Sequence, residues 1–125
     1  MRDLRQPLAR AQGLGSARSG SRHWWLQRVA ALALTPLTIW FVLSFTALIS
    51  ADHQTYSRWI SSPLNATLMI ALLAVLFYHM ALGLQVIAED YLHVDRTKLL
   101  VVISIQLGSL GLAIASIVAI IRMLA

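Results

Sequence analysis

The sequence contains no cysteine, and it contains few charged residues. The lack of cysteine excludes thiolate-bound iron–sulfur clusters, cysteine-based zinc sites and disulfides within this chain. Charged residues make up 12% of the 125 residues, which is about half the fraction in an ordinary soluble domain. Hydrophobic residues make up 58%. This composition indicates a membrane protein.

The few charges leave three long gaps in the chain. No Asp, Glu, Lys or Arg occurs between Arg28 and Asp52, between Arg58 and Glu89, or between Lys98 and Arg122. Each gap exceeds 20 residues, enough for a helix rising about 1.5 Å per residue to cross a bilayer core of about 30 Å. We therefore predict an all-α membrane protein with three transmembrane helices, over residues 29–50, 64–88 and 99–121.

The distribution of Lys and Arg predicts the orientation in the membrane. With the N-terminus in the cytoplasm, eight of the ten basic residues lie inside and only Arg58 and Arg122 lie outside. Cytoplasmic flanks are enriched in Lys and Arg. We expect the N-terminus and the 89–98 loop to face the cytoplasm, or the mitochondrial matrix in an organellar chain. The basic pI reflects these basic residues at the flanks of the spans, so it does not indicate a nucleic-acid-binding surface.

The chain divides into a basic arm and a helical anchor. Residues 1–28 form the predicted cytoplasmic arm, which is extended or weakly ordered over its first 22 residues and ends in an interfacial aromatic segment with Trp24 and Trp25. Residues 29–125 form the three-helix anchor. Its third helix carries small residues at steps of four, three and four, which places them on one face: Ser104, Gly108, Gly111 and Ala115. That face suits close helix packing, either within the chain or against a second protein.

His79 lies deep inside the second apolar segment. An ionisable side chain at that depth usually faces protein, water or a cofactor, because exposing it to lipid is costly. Gly83 lies one turn further along the same face and leaves a notch that a porphyrin edge could occupy. Three roles remain open from the residue alone: a hydrogen bond to a neighbouring helix, ligation of a haem or metal, and proton relay.

Asp90 and Tyr91 follow His79 by 11 and 12 residues, or about 17–18 Å along a helix. This places them at the cytoplasmic interface. A neutral tyrosine hydroxyl can donate a hydrogen bond to a quinone carbonyl, and a neighbouring carboxylate can accept protons. The alternative is that Tyr91 is an interfacial aromatic and that Glu89 and Asp90 simply end the helix.

Two stretches of the sequence resemble a known family. The pattern His79, Gly83, Asp90 and Tyr91, and the segment SARSGSRHWWLQRVAALALTPLTIWFV, are similar to the small hydrophobic membrane anchor of succinate dehydrogenase (respiratory complex II). The likeness is to the alphaproteobacterial and mitochondrial type, and it covers nearly the whole chain.

The resemblance implies a set of roles. The chain would pair with a second three-helix membrane-anchor subunit in a haem-binding helical bundle, and would dock the iron–sulfur and flavoprotein subunits. His79 resembles the axial ligand of haem b, with the opposite ligand supplied by the second anchor. Tyr91 resembles the ubiquinone-binding tyrosine, and Asp90 its acidic neighbour. Arg28 resembles an arginine near the haem propionates, with interfacial snorkelling as its alternative role.

The implied activity is electron transfer from succinate to ubiquinone in the tricarboxylic acid cycle. The chain would be one part of an enzyme rather than an enzyme on its own, because it has no flavin motif and no cluster ligands. Its expected location is the bacterial cytoplasmic membrane, or the mitochondrial inner membrane in an organellar chain. The alternatives are an anchor of a quinol:fumarate reductase and a structural anchor without haem.

Overall fold

A computed structural model describes residues 20–124; residues 1–19 and 125 lie outside the described part. It contains four helices: α1 (Gly20–Leu48), α2 (His53–Ile60), α3 (Pro63–Tyr91) and α4 (Asp95–Leu124). The helices α1, α3 and α4 are each long and apolar enough to cross a membrane. The prediction of an all-α protein with three candidate membrane spans is confirmed.

The helix bounds differ from the predicted ones at both ends. Helix α1 begins at Gly20, so residues 20–28 are helical and continuous with the first span. The prediction of an extended or weakly ordered conformation is therefore wrong for residues 20–22, and residues 1–19 of the predicted arm lie outside the described residues. Helix α3 continues to Tyr91, so Asp90 and Tyr91 belong to its last turn.

Helix α2 lies between the first two predicted spans, where no helix was predicted. Asp52 is its N-cap, and one carboxylate oxygen accepts a hydrogen bond from the backbone N–H of Thr55 at 3.1 Å. Hydrogen bonding to Thr55 lowers the pKa of Asp52 below its ordinary value, because it favours the charged carboxylate. Packing also stabilises α2, since Ile60 at its end is 1% exposed.

Helix α3 is the central element. It packs against α1 on one side and against α4 on another, and α2 contacts both α3 and α4. Pro63 starts α3 at a position where its missing N–H costs no hydrogen bond. The core cluster lies at the end of α2, where Ile60 meets Ala66 of α3 and Ile120 of α4.

Most of the apolar surface of the three spans is not buried within this chain. Only 6% of each apolar window is buried. On α4, Gly108 and Gly111 have no neighbouring atom within 4 Å of where a Cβ would lie, whereas Ser109 is buried. Gly111 and Ser109 point about 160° apart at 100° per residue. The small-residue face therefore points away from α3, and its packing within residues 20–124 is excluded.

Candidate functional site

His79 lies in the membrane-spanning part of α3, and its side chain is half-buried. Twelve residues separate it from Tyr91 at the helix end, a rise of about 18 Å. The unbroken apolar run around it gives this stretch its helical structure, because a membrane-embedded backbone must satisfy its own hydrogen bonds. The position of His79 along α3 places it inside the membrane span, and most residues next to it in the sequence are apolar.

The imidazole of His79 faces α1. Its Nε2 atom lies 3.4 Å from the amide Nε2 of Gln27. Gln27 is 52 residues away in sequence, so the contact exists only because α1 packs against α3. Gln27 was not among the residues selected from the sequence. The sequence did contain one indication: Gln27 is an uncharged polar residue four positions after His23, and the two therefore lie on the same face of a helix.

Three polar atoms in this region are buried without a hydrogen-bond partner among the described residues. They are Nδ1 of His79, Oε1 of Gln27 and Nε2 of His23. We call these three side chains the imidazole–amide cluster. Buried polar atoms are normally paired, and an unpaired one calls for a missing ligand, water or partner. The cluster therefore has unused ligating and hydrogen-bonding capacity inside the membrane-spanning bundle.

A cleft of about 430 Å³ adjoins the cluster between the start of α1 and the last turns of α3. Polar and apolar side chains both contribute to its walls. The lining residues are Gly20, His23, Trp24, Gln27, Gln85, Val86 and Glu89. A group bound to the cluster would thus have open space toward the end of the bundle where α1 begins.

The notch at Gly83 is directed at α1. A Cβ built on Gly83 would lie 3.5 Å from the amide nitrogen of Gln27. The amide therefore lies where the sequence suggested space for a porphyrin edge. This is ordinary van der Waals contact, so a methyl group at position 83 would still fit beside Gln27, and a larger side chain would meet the amide.

Arg28 is exposed and lies next to an aromatic ring, not next to His79. Its guanidinium carbon is 4.9 Å from the ring centroid of Trp24, a cation–π contact. Trp24 in turn packs edge-to-face with Trp25 at 5.1 Å. This arrangement is typical of an interfacial anchor, and the structure does not bring Arg28 into the imidazole–amide cluster.

Asp90 and Tyr91 form the exposed end of α3. Tyr91 is 77% exposed, and within residues 20–124 neither side chain makes a hydrogen bond. The neighbouring Glu89 accepts a hydrogen bond at 2.7 Å from the amide of Gln85. Asp90 and Tyr91 are therefore free to contact a ligand or another protein, and they lie well apart from His79.

A second polar contact that the sequence did not reveal joins α3 to α4. The amide nitrogen of Gln106 donates to Oε1 of Gln85 at 3.2 Å. With the Gln85–Glu89 bond, this makes a line of three hydrogen-bonded side chains leading into the apolar region. Gln85 and Gln106 satisfy each other in part, and neither has a buried unpaired atom among the described residues, whereas all three side chains of the imidazole–amide cluster have one.

Comparisons with known proteins identify the family. A family model described as the succinate dehydrogenase/fumarate reductase transmembrane subunit matches residues 2–118. The chain belongs to this family. A relative in Rickettsia bellii, named succinate dehydrogenase hydrophobic membrane anchor subunit, is 31% identical over 94% of both chains. No solved structure matches significantly.

More distant relatives extend the match. A protein of the same name in Paracoccus denitrificans is 29% identical over 82% of this chain and 79% of its own. The succinate dehydrogenase membrane anchor subunit of Reclinomonas americana is 28% identical over 71% of this chain and 77% of its own. These matches confirm the resemblance drawn from the motifs. With the three apolar helices, they make the chain a multi-pass membrane protein of an oxidoreductase subunit family.

Proposed function

We propose that this chain is the membrane anchor of a succinate:ubiquinone oxidoreductase and that its His79 ligates haem b. The observation that carries the proposal is a histidine, His79, within a membrane-spanning helix, whose buried Nδ1 has no hydrogen-bond partner among residues 20–124. A neutral imidazole nitrogen is the commonest metal-binding atom in proteins. The names of the relatives support the coarser assignment to succinate dehydrogenase.

The side chains around His79 fit a haem. The imidazole of His79 would supply a nitrogen ligand, and the cleft lined by its contact residue Gln27 offers space for a bulky group. When bound, haem b would supply one-electron redox chemistry. In the described part of the chain no three His, Asp or Glu side chains cluster as a metal site, so His79 would supply one ligand. The second membrane-anchor subunit would supply the opposite one.

Tyr91 is the proposed ubiquinone contact. Its exposed hydroxyl at the end of α3 can donate a hydrogen bond to a quinone carbonyl oxygen. Asp90 beside it can accept and pass on a proton from the aqueous side. The position at the helix end is where a lipid-soluble quinone and a water-soluble electron donor could both approach.

The proposed partners are a second membrane-anchor subunit, the iron–sulfur subunit, the flavoprotein subunit and the lipid bilayer. The exposed small-residue face of α4 and the low burial of all three spans support a membrane-embedded partner. The lack of cysteine means that any iron–sulfur cluster with thiolate ligands belongs to another chain. The proposed membrane is the bacterial cytoplasmic membrane or its mitochondrial equivalent, with the N-terminus inside.

The deciding experiment is a redox difference spectrum of the purified complex carrying His79→Ala. We expect loss or distortion of the low-spin b-type signal. His93→Ala is the matched control, because His93 lies beyond α3 and is exposed, so its spectrum should be unchanged. An unaltered spectrum and haem content in His79→Ala would reject the ligand role. A wild-type complex without haem would favour the structural anchor.

A further inference from the structure

We propose that Gln27 closes His79: the imidazole becomes accessible to a ligand only when the side chain of Gln27 rotates away from it and into the neighbouring cleft. This inference rests on the proposed haem ligation by His79, because it says what that ligation requires of the chain. It concerns a residue of α1, whereas the motif around His79 lies entirely in α3.

Neither ring nitrogen of His79 is open to a ligand in the observed packing. Nδ1 is buried and has no hydrogen-bond partner among residues 20–124. Nε2 lies 3.4 Å from the amide nitrogen of Gln27. A metal bound to an imidazole lies about 2 Å from the nitrogen, so the amide of Gln27 occupies the space that a metal on Nε2 would need.

The cleft beside this contact reaches Gln27 but not His79. Gln27 belongs to the cleft wall, together with Trp24 and Val86, and His79 does not. Gln27 therefore lies between the open space and the imidazole. A bulky group that enters the cleft would meet Gln27 first, and it would reach the ring nitrogen only by displacing that side chain.

The closed contact between Gln27 and His79 is a weak one. Its length of 3.4 Å exceeds the usual range for a hydrogen bond from an amide. Either assignment of the amide oxygen and nitrogen leaves one polar atom of each side chain unpaired among the described residues. Buried unpaired polar atoms are unfavourable, so opening gives up one long hydrogen bond and no other polar contact.

The cleft can take up the rotated amide of Gln27. Its walls carry three further polar side chains, those of His23, Gln85 and Glu89. Glutamine changes rotamer by rotation about single bonds, so the change does not require α1 to separate from α3. The amide can therefore exchange between the imidazole and the cleft while the two helices stay packed.

Modification by diethyl pyrocarbonate measures the accessibility of His79 independently of haem. The reagent acylates an unprotonated ring nitrogen that it can reach, and mass spectrometry of the full chain in detergent identifies each modified histidine. We expect Gln27→Ala to raise the rate at His79 by roughly two- to twelvefold, as for the loss of one hydrogen bond. His53 and His93 are exposed, so their rates should be higher than that of His79 in the unsubstituted chain and should not change.

Haem uptake by the intact complex, after extraction of its haem, should change in the same direction. Binding is weakened by the fraction of molecules that are closed, so Gln27→Ala should increase the apparent haem affinity by the same factor as the reactivity of His79. Gln85→Ala is the matched control, because it removes an amide from the same cleft that makes no contact with His79. It should change neither quantity.

The closing role and the ligand role can fail separately. If His79 reacts as fast as His53 in the unsubstituted chain, or if Gln27→Ala leaves its rate unchanged or weakens haem uptake, the closing role is wrong and ligation by His79 still stands. If Gln27→Ala exposes His79 but His79→Ala keeps the haem signal, the proposed function fails instead. If Gln27→Ala does not assemble, Gln27→Asn replaces it, since a side chain shorter by one methylene should also withdraw the amide, and an unchanged rate there would overturn the inference.

Discussion

Trp59 of α2 stacks on Trp40 of α1, with ring centroids 5.8 Å apart and planes inclined by 18°. The peptide carbonyl of Trp59 also accepts a hydrogen bond from the amide of Asn65 in α3, at 2.8 Å. These contacts tie α2 to two spans and close one end of the bundle. The imidazole–amide cluster lies in the other half of the bundle, and the cleft beside it opens toward the end where α1 begins. One end is packed within the chain, and the other is open to ligands and partners.

The packed end should carry much of the chain's own stability. Ile60 is 1% exposed and contacts the core formed with Ala66 and Ile120. We expect Ile60→Ala to lower the free energy of unfolding by about 2–5 kcal/mol, the range for a large-to-small core change. Denaturant titration of the purified complex in detergent measures it. Leu64→Ala, at a 66% exposed position, should change it by about 0.5 kcal/mol or less.

The cap of α2 should respond to acid. Folding lowers the pKa of Asp52 below 3.8 through the Thr55 hydrogen bond. The charged cap therefore stabilises α2 above that pH, and this contribution is lost as the pH falls through the folded-state pKa. We expect amide exchange at Thr55, corrected for its intrinsic pH dependence, to accelerate in acid. Asp52→Asn keeps an acceptor without titrating, so a matching acceleration there would contradict the assignment.

The orientation can be tested with two cysteine probes. The chain has no native cysteine, so Ser21→Cys at the start of α1 and Gln54→Cys in α2 each add one known thiol. Both positions are exposed. An impermeant maleimide applied to intact cells should label the Gln54 probe and not the Ser21 probe, with the unsubstituted complex as background. The reverse pattern would place Tyr91 on the outer side and remove it from the site where electrons enter.

The three spans were predictable because an uncharged, apolar run long enough to cross the bilayer is rarely anything other than a transmembrane helix. The first turns of α1 were not predicted, because Gly, Ser and Arg near residue 20 give no apolar helical pattern. The helix nevertheless extends from the membrane span back to Gly20. Helix α2 was missed because it depends on tertiary burial of Ile60 as well as on the Asp52 cap. Gln27 could not be linked to His79 from one sequence, since the packing of α1 on α3 creates that contact.

Tyr91→Phe tests the quinone contact most directly, because it keeps the ring and removes only the hydroxyl. We expect slower ubiquinone reduction and near-normal succinate oxidation with a soluble artificial acceptor, since the flavin and clusters would lie in other chains. A hydrogen bond to a neutral carbonyl contributes about 0.5–1.5 kcal/mol, which corresponds to roughly a two- to twelvefold loss. Haem content should stay at the wild-type level, because about 18 Å of helix separates the hydroxyl from His79.

The matched control is Tyr56→Phe, because Tyr56 lies in α2 at the opposite end of the bundle. Removing the hydroxyl of Tyr56 should leave both ubiquinone reduction and succinate oxidation with the soluble acceptor unchanged. Equal effects of the two substitutions would indicate a general loss of stability and not a quinone contact. If Tyr91→Phe preserved both quinone reduction and sensitivity to quinone-site inhibitors, Tyr91 would be an interfacial aromatic. The donor would then have to be sought among the other donors at this end of the bundle, such as His23 and Trp24, and in the partner chains.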